Sequence, residues 1–231
     1  MLPNIEDVKP EEGGAVDLLG DGVHKIYLHR GQLDIYNFGS RSTKVRAARG
    51  FGKTSYIGLH MVKCVLGLRR QMGGFVGASA KQLYTRTMPN ALKVVSSLGF
   101  EKFFFLGQAP AKLRWEMPLA RPRQWENCVH FQNGFVWQML SMAVKGSANG
   151  LNLAALIGDE TKYLPWSRVK EEVLPTLRGD FMPVSARKTE QKRWGYGTDP
   201  KVNPYWLSQL WVSDAGLTQR ECVWEKEEQY E

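Results

Sequence analysis

Hydrophobic positions along the chain change period several times, and each change predicts an element. Lys44 to Ala48 reads as a short buried strand running into the glycine-rich stretch Gly50-Phe51-Gly52. From Thr54 to Leu68 the residues Ile57, Met61, Val62, Val65 and Leu66 recur near helical spacing, which predicts a helix. Gly73-Gly74 closes that unit. GFVGASA (74–80) predicts a second strand, and 81–98 a helix that Pro89 kinks or breaks. Phe103-Phe104-Phe105 reads as a core strand. In CVHFQNGFVWQML (128–140) two β-rich runs flank Asn133-Gly134, a strong hairpin signal. LNLAALIGDE (151–160) is almost wholly apolar until its two acids, as a parallel strand covered on both faces would be. A polar helix is expected from Trp166 to Leu177. Strand, glycine turn and helix alternating around buried strands predict an α/β fold with a parallel-rich sheet.

Composition narrows the class. The chain has 231 residues, with 43% hydrophobic and 23% charged, the profile of a soluble globular protein. No apolar run approaches the roughly 18 residues needed to cross a bilayer, so no membrane partner is expected. Cys64, Cys128 and Cys222 lie far apart without a CxxC, which fits a reducing, intracellular setting. His24, His29, His60 and His130 form no metal-ligand spacing. The net charge of +8, from 31 basic and 23 acidic residues, suits a polyanionic partner such as nucleic acid. Trp115 and Trp125 flank Arg114, Arg121 and Arg123; a loop anchored by aromatics is favoured over a DNA-facing surface. Trp206, Trp211 and Trp224 are expected to pack a lid.

The candidate chemistry begins at Ala47-Ala48-Arg49-Gly50-Phe51-Gly52-Lys53-Thr54. A phosphate-cradling loop needs backbone N–H groups at a helix N-terminus and glycines for tight backbone angles. It also needs a lysine for the β/γ-phosphates and a hydroxyl for Mg²⁺. Gly50, Gly52, Lys53 and Thr54, with Ser55 behind them, supply these, although Ala47 replaces the first glycine of the common pattern. Downstream, Asp159 and Glu160 end the buried strand. An acid there serves the metal through water, and its neighbour orients and deprotonates the attacking water. Arg49 lies inside the loop, where its guanidinium can reach a γ-phosphate as a finger in cis; Arg168, Arg178 and Arg187 are candidates for the same role from a neighbouring subunit.

In this order the segments resemble the large terminase subunit of tailed viruses, the ATPase that packages double-stranded DNA into procapsids. The resemblance covers most of residues 29–200. His29-Arg30-Gly31-Gln32 is similar to the family's upstream element, which implies that Gln32 reads adenine. The stretch from Arg49 to Thr54 resembles the family's variant phosphate loop, in which the first glycine is often absent. Ser79 to Leu83 with Met88-Pro89, the hairpin from Phe131 to Val136, and Lys145 to Asn152 also match, though relatives often carry Arg where Asn149 stands. Gly197-Thr198-Asp199-Pro200 looks like the coupling motif, so Thr198 is its implied residue, with Asp199 a departure.

The resemblance implies a P-loop NTPase of the additional-strand, catalytic-glutamate type, with ATP and Mg²⁺ as cofactors. Implied partners are double-stranded DNA, a portal protein and procapsid, a small terminase subunit, and further copies in a homo-oligomeric ring, a pentamer. The implied setting is the host-cell cytoplasm. The expected organisation is a leader over 1–28, an ATPase core over 29–200 and a lid or linker over 201–231. Only 31 residues follow Pro200, too few for the family's nuclease, so no DNA cutting is expected from this chain. Two other readings remain open: a helicase-like remodelling ATPase, and a P-loop module that binds DNA or capsid without hydrolysis.

Overall fold

The computed structural model describes residues 5–6, 14–17, 25–107, 115–122, 124–180 and 203–214. Three strands, β1 (Ile5–Glu6), β2 (Gly14–Asp17) and β3 (Lys25–Leu28), form a small antiparallel sheet in the order β1-β2-β3. Part of the expected loose leader is therefore paired; strands this short carry too few alternating positions to register as a pattern. Helix α1 (Arg30–Asn37) follows, and then the main sheet begins with β4 (Ser42–Ala47).

The main sheet has seven strands in the order β4-β10-β9-β5-β8-β7-β6. Here β5 is Met72–Gly77, β6 Phe104–Leu106, β7 Cys128–Phe131, β8 Val136–Ser141, β9 Ala155–Gly158 and β10 Ser208–Asp214. The strands from β4 to β8 in that order run parallel, while β7 and β6 are antiparallel additions at one edge. Helix α2 (Lys53–Gly67) and the helical run Ala80–Gln82 (α3) and Met88–Val95 (α4) cover one face. The short helix α5 (Trp166–Arg168) begins the segment that covers the other.

Alternation on the strands feeds both cores. Phe75, Ile157, Leu210 and Val212 face α2 and α4, whereas Val76, Leu156 and Trp211 face the α5 side. The apolar run at 151–160 is explained by this: β9 is covered on both faces and paired on both edges.

The largest departure from the sequence reading is β10. Ser208–Asp214, expected in a lid or linker, lies inside the sheet between β4 and β9. Trp206 and Trp211 are core residues, 3% and 2% exposed, not lid packing. A strand inserted between the phosphate-loop strand and the acid-bearing strand is what defines the additional-strand class, so the fold is that α/β type. Phe103-Phe104-Phe105 is corrected in part: β6 is an edge strand paired only with β7 among the described residues. Phe103 and Phe105 are 43% and 40% exposed, while Phe104 packs against the core.

Two asparagines finish α2. Asn133 Nδ2 donates to Val65 O at 2.6 Å and Asn203 Nδ2 to Gly67 O at 2.7 Å, satisfying carbonyls that a helix end leaves open. The hairpin tip, with Gly134 at φ +80°, is thereby tied to the helix that begins at the phosphate loop.

Candidate nucleotide site

The loop between β4 and α2 turns on Gly50 (φ +84°) and Gly52 (φ +78°), both in the left-handed region that glycine tolerates. Gly52 N-caps α2, and a Cβ there would sit 2.6 Å from Gln32 Nε2 and displace that amide. Ala47, at the end of β4, is paired with Asp214 and needs no glycine.

Beneath the loop lies α1. His29 caps it, its Nδ1 accepting the Gln32 N–H at 3.4 Å, while its Nε2–H donates to Phe51 O at 2.7 Å. The His29 ring also meets the Phe51 ring edge-on, at 4.8 Å between centroids. Gln32 is buried, and its Nε2 donates to Gly52 O at 3.1 Å. The structure thus uses Gln32 and His29 to brace the loop from behind; Gln32 does not line the cleft described next.

A cleft of about 450 Å³ opens at the C-terminal ends of the parallel strands. Arg49, Gly50, Gly52, Lys53, Thr54 and Ser55 line its loop side, and Asp159, Glu160 and Asp214 its floor. The predicted residues other than Gln32 and Phe51 that fall in described segments converge here. Thr198 and Arg187 lie outside the described residues. Arg168 is engaged elsewhere, its guanidinium bonded to Glu172 at 3.0 Å and to Met142 O at 2.5 Å; Arg178 donates to Leu151 O at 3.4 Å.

Lys53 carries three contacts. Its ammonium donates to Ala47 O and Ala48 O, both at 2.8 Å, and pairs with Asp214 Oδ1 at 2.6 Å. Asp214 is the cleft residue that the sequence reading missed. It ends β10, and its other oxygen faces Arg49 at 3.7 Å and Lys162 at 3.9 Å. Burial pushes the Asp214 carboxyl up, but the Lys53 hydrogen bond and the three cations outweigh it and hold it below the usual carboxylate range. Arg49 is otherwise free in solvent, its side chain 93% exposed.

The two acids of the β9 strand differ. Asp159 Oδ2 accepts a short hydrogen bond from Thr87 Oγ1, and burial raises its carboxyl despite that bond. Glu160 stands at φ +50°, an uncommon backbone for a side chain this long, and strain of this kind gathers at functional sites. Its Oε2 is buried with no hydrogen-bond partner among the described residues. Burial, followed by the charges of Asp214 and Asp159, raises its carboxyl. A carboxylate so placed is a stronger base than a solvated glutamate, which suits proton abstraction from water.

The donor set fits Mg²⁺ through Thr54 and Asp159. No cluster of three or more His, Cys, Asp or Glu able to hold a metal occurs among the described residues. Mg²⁺ at a nucleotide site takes one or two protein oxygens and completes its shell with phosphates and water, so the pair suffices.

In fold, the chain is similar to the ATPase domains of phage large terminases. The Thermus phage P74-26 large terminase ATPase domain matches at 17% identity and TM-score 0.48, over 82% of this chain and 66% of that one. The large terminase of the thermophilic bacteriophage D6E matches at 13% and 0.49, over 79% and 38%. The HK97 bacteriophage large terminase matches at 16% and 0.46, over 82% and 33%. The chain thus spans just under two thirds of the first, 38% of the second and 33% of the third. No family model matches, and no curated protein matches.

The Trp115 and Trp125 region resolves toward anchoring. Both rings pack against buried His130, at 5.8 and 5.2 Å between centroids, and Trp115 meets Phe105 at 5.0 Å. Arg114 and Arg123 lie outside the described residues.

Proposed function

We propose that this chain is an ATP-hydrolysing motor domain of the terminase large-subunit type, which moves double-stranded DNA. One observation carries the reading: a glycine loop with Lys53 and Thr54 and a strand tip with Asp159 and Glu160 line one cleft, across a single intervening strand. In this reading the loop amides and Lys53 hold the phosphates, and Thr54 and Asp159 hold Mg²⁺. A bound ion there would supply positive charge to offset that of the phosphates. Glu160 orients the attacking water and takes its proton. Arg49, exposed at the cleft mouth, neutralises charge on the departing phosphoryl group. Thr198 would couple hydrolysis to movement. The net charge of +8 suits a DNA substrate. The ring assembly, portal, procapsid and small-subunit partners, and the host cytoplasm as setting, follow from the same resemblance.

The test is phosphate release from MgATP by the chain, with and without double-stranded DNA. Turnover that Lys53→Ala abolishes and that DNA stimulates is expected. ATP binding without turnover would favour a docking module that does not hydrolyse. Turnover stimulated by single-stranded but not double-stranded DNA would favour a helicase-like remodeller.

A further inference from the structure

The wall facing the phosphate loop is the helical run after β5, and it carries a cation of its own. Ser79 starts the run, its Oγ accepting the Gln82 N–H at 3.2 Å. Between α3 and α4 the backbone widens into a π turn over Leu83–Thr87, closed by the Met88 N–H on Leu83 O. Pro89, one residue into α4, has no N–H for the ladder, so an i→i−4 bond is already forfeited beside the wide turn.

Widening changes which residues share a face. An α-helix separates neighbours by 100°, and a π turn by about 80°. Leu83 and Met88 are buried in the core, while Gln82, Arg86, Thr87 and Asn90 all line the cleft. The Thr87 hydroxyl donates to Asp159, which pins this wall to the strand bearing the acids. Arg86 is adjacent to that pin.

The charges in the cleft then divide. Lys53, Arg49 and Lys162 all face Asp214. Arg86 has no ion pair with a carboxylate among the described residues, although Asp159, Glu160 and Asp214 line the same cleft. Its backbone carbonyl accepts from Asn90 Nδ2 at 2.9 Å, and its guanidinium makes no hydrogen bond among the described residues. A phosphate chain held on the loop would meet Lys53 on one side and three carboxylates below. The opposite side carries the Arg86 cation, and a guanidinium offers phosphate two parallel N–H donors.

We propose that Arg86 is a catalytic residue that binds the terminal phosphate of a nucleoside triphosphate from within the same chain, with Gln82 and Asn90 as neutral donors beside it. The inference rests on the ATPase reading above and deepens it. In the step, the water oxygen bonds to the γ-phosphorus, the bond to the nucleoside diphosphate oxygen breaks, and the water proton passes to Glu160. Arg86 transfers nothing; it neutralises the charge spreading over the γ-oxygens.

The experiment compares the full chain with Arg86→Ala, Arg86→Lys and Lys53→Ala, each checked by thermal melting. Single-turnover hydrolysis of MgATP is measured beside the affinities for MgADP and MgATPγS. For Arg86→Ala the rate should fall roughly 10²–10³-fold, as for removal of one preorganised donor at a developing charge. MgADP affinity and melting temperature should hold, the preference for MgATPγS over MgADP should shrink, and Arg86→Lys should recover part of both losses. Wild-type-like rate and preference in Arg86→Ala, with Lys53→Ala inactive, would reject the proposal and leave the ATPase reading standing. An equal loss of affinity for both nucleotides with a lower melting temperature would make Arg86 structural and also reject it. A wild-type chain that neither binds nor turns over MgATP would remove both.

Discussion

At the root of the phosphate loop the Lys53 ammonium bonds two carbonyls and Asp214 at once, so a phosphate must compete with an anion already in place. Asp214→Asn removes that competitor, and MgADP should bind more tightly in a direct titration; unchanged or weaker binding would show that Asp214 helps the site instead. The Asp214 charge also raises the Glu160 carboxyl, so the acid limb of the pH–rate profile should move to lower pH in the same variant. Glu160→Gln should trap MgATP unhydrolysed, because the amide keeps the shape and loses the base. It should also stabilise the folded chain at neutral pH. A carboxyl raised by folding contributes stability below its ordinary value of 4.5, and that stability is lost as pH rises through the folded value. Thermal melts should therefore show a gain for Glu160→Gln at pH 7 that vanishes at pH 4.

Elements decide how far the loop and the strands tolerate change. Gly52→Ala puts a Cβ against Gln32 and forces φ +78° on an L-residue. The backbone strain alone costs about 1–2 kcal/mol, and the displaced Gln32 loses its bond to the loop. Urea unfolding should show that loss together with weaker MgATP binding. In β10, Trp211 packs against Trp166 at 5.2 Å between centroids and covers Gly158, where no Cβ would fit. Truncating a buried Trp costs about 3–5 kcal/mol, so Trp211→Ala should lower the urea midpoint sharply. A lid tryptophan would leave that midpoint nearly unchanged, which makes the variant a direct test of where β10 sits.

The molecule as a whole should be sensitive to acid through its buried imidazoles. His130 is fully buried, its Nε2–H donating to Glu116 O at 3.0 Å and its Nδ1 without a partner among the described residues. Burial pushes its pKa down to about 4, and burial with the Lys63 charge pushes His60 down to about 3. A base depressed by folding costs stability as pH falls below its ordinary 6.5, and the cost grows until the folded value is passed. Melting temperature should thus decline from pH 7 to pH 4, and His130→Gln should flatten part of that decline. A profile unchanged by the substitution would mean that His130 does not report on the acid transition.

The sequence by itself determined each element whose signal is local. Gly50, Gly52, Lys53 and Thr54 announce a loop and a helix start because only glycine accepts the backbone angles and the helix has its own period. The Asn133-Gly134 hairpin and the doubly covered strand ending in Asp159-Glu160 were legible for the same reason: turn chemistry and apolar run length are properties of neighbouring residues. Tertiary structure alone decided the insertion of β10 between β4 and β9. Ser208–Asp214 reads locally as part of a lid or linker, and strand order depends on which edges and faces pack best over long separations. Asp214 became part of the cleft through that insertion, and Arg86 through a widened turn that the Pro89 beside it makes inexpensive. Phe103 and Phe105 were misread for the converse reason: aromatic residues mark a strand, but only the number of its neighbours decides whether their rings are covered.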